Sequence, residues 1–146
     1  MTDAQAMIME LEGTGRQVNG QFMPYQDLVG KLTIGYGHNL DDNGIPSEVA
    51  NLLLQADLAN AIEAVRANCS CYDQLSRPRQ LVLISMGFQF GKEGLSKWPR
   101  FLGAVHLGNF DEAAEELLDS KAAKVQAPVR FHILATMLRE NVSQWV

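Results

Sequence analysis

The chain has 146 residues, 47% hydrophobic and 20% charged, with a formal net charge of −5. That composition is that of one globular domain rather than a disordered segment, and no run approaches the roughly 18 consecutive apolar residues of a membrane span. The charge is uneven: residues 1–73 carry ten acids and three bases, residues 74–146 seven acids and nine bases. So slight a basic excess is not the basic face that nucleic-acid binding needs.

Met1 to Gln5 have neither the basic nor the apolar region of a signal peptide, so action outside the cytoplasm would need another release route. Cys69 and Cys71 are the only cysteines. A bridge over one intervening residue would be strained, so free thiols in a reducing compartment are expected. Two thiols and three scattered His make no zinc site.

In chain order, residues 2–12 read as a helix. Thr2 and Gln5 fit a capping box, and Ala4, Met7, Ile8 and Leu11 recur at helical spacing. Gly13 suits a left-handed stop. Glu12 then lies at the negative end of the helix dipole, which favours its protonated form. Asn19-Gly20 is a type I′ hairpin signal. Val29-Gly30-Lys31 predicts a second turn that sets Asp27 directly opposite Thr33 on one sheet face. About three antiparallel strands follow from this, with Asp41 to Gly44 as a polar loop. Pro46 fits the first position of a helix that runs to about Ala67 and spans about 33 Å. The apolar segment from Leu81 to Phe90 predicts a buried central helix, ended by Gly91. Helices are expected at 96–107, 110–119 and 127–140, the last stopped by Asn141. Trp98 before Pro99 reads as a core anchor.

Acids, Thr and His crowd a glycine-spaced stretch between Glu12 and His38. One carboxyl kept protonated can donate to a leaving oxygen, and a second, ionised one can activate water. Glu12 and Asp27 suit these roles, with the Thr33 hydroxyl beside the water. Helical geometry alone leaves Glu10 and Glu12 both open as the acid. Asp27 and Thr33 also suit a plain cross-strand pair that stabilises a hairpin.

Glu12-Gly13 followed by Tyr25-x-Asp27-x-x-Gly30-x-x-Thr33-Ile34-Gly35-Tyr36-Gly37-His38 resembles the active-site signature of phage-type lysozymes, the muramidases of glycoside hydrolase family 24. Residues 45–61, Phe88-Gln89-Phe90-Gly91, Asn109 to Ala114 and Pro128-x-Arg130 resemble later helices of that family. The resemblance implies an α+β, mainly α, lysozyme-like two-lobe fold in a single domain. Residues 14–45 would form a small antiparallel β lobe and 46–67 the long connecting helix. Residues 1–13 and 68–146 would form the helical-bundle lobe. It implies hydrolysis of the β-1,4 bond between N-acetylmuramic acid and N-acetylglucosamine in peptidoglycan, with phage-driven lysis as its purpose. Glu12 would be the general acid, Asp27 the carboxylate that activates water, and Thr33 the water-holding partner. Phe88 and Gln89 would contact the glycan, while His38 and Arg130 would support the site, Arg130 by pairing with Glu12. No metal or organic cofactor, no nucleic acid and no membrane insertion are implied, and a monomer is expected. The protein would be made in the host cytoplasm and reach the wall after release through the membrane.

Residues 14–24 depart from the family pattern as extra hairpin, and wall-lytic enzymes of this kind are often basic whereas this chain is acidic. The alternative reading is a catalytically silent lysozyme-like module that binds glycan or a protein partner.

Overall fold

The computed structural model describes residues 1–146. The chain is mainly helical with two small antiparallel sheets, the expected α+β class. It divides into two compact units, Met1–Leu52 and Leu53–Val146.

The first unit opens with α1 (Asp3–Glu12). Its capping box forms as expected: Thr2 Oγ1 accepts from the Gln5 amide at 3.2 Å, and Gln5 Oε1 accepts from the Thr2 amide at 2.8 Å. These bonds satisfy two amides that the helix cannot pair internally. Gly13 takes φ 68° with an extended ψ of −169°. The chain therefore leaves the helix sharply, but not through the left-handed helical conformation expected.

Strands β1 (Arg16–Val18) and β2 (Gln21–Met23) form a two-residue hairpin. Asn19 and Gly20 have φ of 51° and 78°, the double positive φ of a type I′ turn. A separate sheet holds β3 (Tyr25–Gln26), β4 (Leu32–Ile34) and β5 (His38–Asn39) in that order. There are thus five short strands rather than three.

The β3–β4 register corrects the expected pairing: Thr33 faces Tyr25, Leu32 faces Gln26, and the Asp27 amide donates to the Lys31 carbonyl at 2.9 Å. The turn is Leu28-Val29-Gly30, one residue earlier than predicted. The physical reason lies in Asp27 itself. Its Oδ1 accepts from the amides of Val29 at 2.9 Å and Lys31 at 2.8 Å. An Asp side chain that takes the amide two residues on initiates a turn at that Asp.

Asp41 to Asn43 are not loop. They belong to a one-turn helix, α2 (Leu40–Asn43), because the Asn39 side chain accepts from the Asp42 amide at 3.0 Å and caps it. Lys31 Nζ meets Asp42 Oδ1 at 2.8 Å, and Asp41 Oδ2 accepts from the Leu32 amide at 2.7 Å, so α2 is tied to the turn end of the β3–β4 hairpin. Helix α3 spans Ser47–Asn68. Pro46 stands one position before its expected place, and its carbonyl accepts from Val49 and Ala50 at 3.0 Å each.

The second unit contains α4 (Arg77–Leu95), α5 (Pro99–His106), α6 (Phe110–Asp119) and α7 (Pro128–Glu140). A π-helical turn, Ala122–Gln126, joins the last two. Val82, Leu83 and Met86 of α4 are fully buried with Phe101, Leu117 and Phe131, so α4 is the core helix that its apolar pattern predicted. Gly91 breaks α4 with φ 67° and ψ −179°, and a last helical turn follows it. Trp98 stacks on Phe131 at 6.2 Å and packs against Phe90 and Phe101, the anchor role expected. Asn141 ends α7 in the left-handed conformation.

Cys69 and Cys71 form a disulfide, contrary to the expectation of free thiols. The chain turns back between the end of α3 and the 3-10 turn at Tyr72–Gln74. That turn brings the two Cα atoms to 5.2 Å, within the bridging range.

Candidate active site

Glu12 is the last residue of α1 and lies on the surface. Its carboxyl rests on the backbone of Gly37: a Cβ at position 37 would stand 2.8 Å from Glu12 Oε2 and 3.2 Å from its Cδ. Gly37 has φ 78°, so its backbone is also one that a side chain would strain. Of the two acids left open by helix geometry, Glu12 is the one whose carboxyl lies beside Gly37, in the turn between β4 and β5.

Asp27 stands half-buried at the start of the β3–β4 turn. Two backbone amides hold Oδ1, which leaves Oδ2 as its free acceptor. Lys31, next to the turn, is held above its ordinary range first by its hydrogen bond to Asp42 and then by the charges of Asp42, Asp41 and Asp27. Thr33 is 3% exposed, the one buried residue of the first unit. Its hydroxyl donates to the Lys31 carbonyl at 3.0 Å, so toward any other group it is an acceptor. Side chains on a strand alternate between faces, so the Tyr25–Thr33 register keeps Asp27 on the face of Thr33, displaced by one pair along it.

His38 begins β5, and its Nε2 bonds the Gly44 carbonyl at 2.5 Å. A carbonyl only accepts, so Nε2 carries the proton. The ring ties the strand to the end of α2.

Phe88, Gln89 and Arg130 belong to the helical unit. Phe88 is 47% exposed on α4, and with Leu58, Ile84, Arg130 and Ile133 it lines an apolar groove of about 570 Å³. Arg130 Nη1 donates to Gln89 Oε1 at 3.2 Å. The residues that sequence reasoning passed over are Phe22 and Asn39. The Phe22 ring meets the Tyr36 ring edge-on at 5.3 Å. Asn39 caps α2 and orients Asp42. The Asn39-to-Asp42 spacing is a capping signal that could have been read; no local signal marks Phe22.

The Glu12 carboxyl thus lies against the Gly37 backbone, and the Asp27 carboxylate is held by two amides through one of its oxygens. A family model described as phage lysozyme matches residues 16–137. The chain belongs to the phage lysozyme family, and so to the peptidoglycan-lytic glycosidases. The match covers Asp27, Thr33, His38, Phe88, Gln89 and Arg130 and begins just after Glu12. No curated protein matches the chain.

Proposed function

We propose that the protein is a muramidase that cuts the β-1,4 bond between N-acetylmuramic acid and N-acetylglucosamine, for lysis of a phage-infected host cell. Glu12 donates its proton to the glycosidic oxygen as the bond to the anomeric carbon breaks. Asp27 Oδ2 takes a proton from the water that attacks that carbon from the opposite face. Thr33 offers its hydroxyl oxygen to the same water. The product is then the inverted anomer, and the two carboxyls need the wider separation of about 6.5–9.5 Å that admits a water.

The observation that carries this reading is the state of Asp27. One oxygen is fixed by two amides and the other is free, which suits a carboxylate that must point at water. Phe88 and Gln89 supply an exposed ring and an amide, the groups that bind the face and the polar edges of a sugar. Arg130 and His38 act as supports, Arg130 through its bond to Gln89 and His38 through its bond to Gly44.

The test is turbidity clearance of purified peptidoglycan by wild type and Glu12→Gln, with the reducing ends identified by mass spectrometry. Clearance that Glu12→Gln abolishes, with N-acetylmuramic acid at the new reducing ends, supports the proposal. Binding to the wall without new reducing ends would instead favour a silent binding module.

A further inference from the structure

The β1–β2 hairpin is the part of the first unit for which the acid–base scheme has no use. Its contacts give it one. Phe22, on β2, makes one ring contact, edge-on to Tyr36 at 5.3 Å. Tyr36 lies between Gly35 and Gly37, whose φ values are 64° and 78°. Two flanking glycines with positive φ make a turn whose backbone has little steric preference of its own. Something outside the turn must choose its conformation. Gly37 is also the residue on which the Glu12 carboxyl rests.

A second contact reaches the same turn. A Cβ at Gly15, just before β1, would overlap the Tyr25 ring and stand 2.9 Å from the Gly35 carbonyl. The hairpin thus enters against Gly35 and returns through Phe22 to Tyr36. Tyr36 also lines an open groove together with Ile8 and Met9 of α1. The Phe22 ring is the aromatic side chain that Tyr36 meets.

We infer that Phe22 is a positioning residue for the general acid: through Tyr36 it fixes the Gly35–Gly37 turn, and the turn fixes the Glu12 carboxyl. The inference rests on the catalytic reading of Glu12 given above. Small displacements of a catalytic group cost about a hundredfold in rate, so a loosened turn lowers kcat while leaving glycan binding, and hence KM, unchanged. It also changes the surroundings of the Glu12 carboxyl. The alkaline limb of kcat against pH, which reports loss of the general acid's proton, then moves.

The experiment measures kcat, KM and the pH profile on soluble peptidoglycan fragments for wild type, Phe22→Leu, Phe22→Tyr and Gln21→Ala. Thermal melts accompany each. Leu keeps the apolar bulk without the ring, and Tyr keeps the ring. Gln21 lies on the other face of the same strand. The expected result is a ten- to hundredfold loss of kcat in Phe22→Leu at constant KM, with a shifted alkaline limb. Phe22→Tyr and Gln21→Ala stay near wild type. Phe22→Leu with wild-type kcat and pH profile, or Phe22→Tyr as impaired as Phe22→Leu, overturns this inference while the catalytic reading stands. An inactive wild type, or a fully active Glu12→Gln, overturns the catalytic reading and this inference with it.

Discussion

The backbone amide of Lys31 donates to Oδ1 of Asp27 at 2.8 Å, and that bond joins the turn's architecture to its proposed chemistry. The Val29 amide shares the same oxygen. Asn and Asp therefore differ at this site in charge but not in the acceptor that the turn needs. Asp27→Asn is expected to keep the melting temperature within a few degrees while lowering kcat by about 10²–10⁴-fold. Asp27→Ala removes the acceptor as well and should also lose about 1–3 kcal/mol, the cost of leaving amides unpaired. Thermal melts beside turbidity assays separate the two effects.

Glu12 lies on the surface and makes its close approach to a glycine backbone. Glu12→Gln preserves that shape and removes only the transferable proton. Lytic activity should fall by at least about a hundredfold with an unchanged circular dichroism spectrum. Glu10→Gln, on the same helix, should remain active. A reversal of these two outcomes would move the acid to Glu10.

At Gly87 α4 lies tight against α3. A Cβ there would stand 2.6 Å from the Ala61 carbonyl and 2.9 Å from Val65 Cγ2. The carbonyl is helix backbone and cannot swing aside, so the helices would have to part. Gly87→Ala is expected to destabilise the protein by about 1–3 kcal/mol, the usual cost of overpacking, despite the better helix propensity of Ala. Chemical denaturation measures it.

The Lys31–Asp42 pair sets a pH window. Asp42 is held below its ordinary value of 3.8, first by the Lys31 hydrogen bond and then by that of Asn39. Its contribution is present above pH 3.8 and is lost as pH falls through the lower folded value. Lys31 is held above its ordinary 10.5, first by the Asp42 hydrogen bond. Its contribution is present below pH 10.5 and is lost as pH rises through the higher folded value. Both partners are exposed, so the effect is small and salt-sensitive. Lys31→Met should melt slightly below wild type at neutral pH in low salt, and the gap should close near pH 2.

The helices were largely legible because their signals are local. The spacing of Val82, Leu83 and Met86, the Thr2–Gln5 box, the Gly91 break and Asn141 each involve residues within a turn or two of one another. The strand register was harder. It depends on which residue begins the turn, and Asp27 decides that by capturing the Val29 and Lys31 amides instead of pairing opposite Thr33. A one-residue shift of the turn moves every partner. The α2 turn was misread as loop because four polar residues have no periodicity; the Asn39 cap carries the signal. The Cys69–Cys71 bridge depends on how sharply the chain reverses after α3, which spacing does not encode.

The sequence by itself determined the longer helices, the Thr2–Gln5 and Asn141 caps, the Asn19-Gly20 hairpin and the set of residue types available for acid–base chemistry. All of these follow from backbone preferences and short-range hydrogen bonds. Only the tertiary structure decided that Glu12, not Glu10, meets Gly37, that the Phe22 ring meets Tyr36, and that α4 lies tight against α3 at Gly87 and Ala61. These are contacts between residues far apart in the chain. Their occurrence depends on the turns between them, and a rotation at any one positive-φ glycine would send the partners elsewhere.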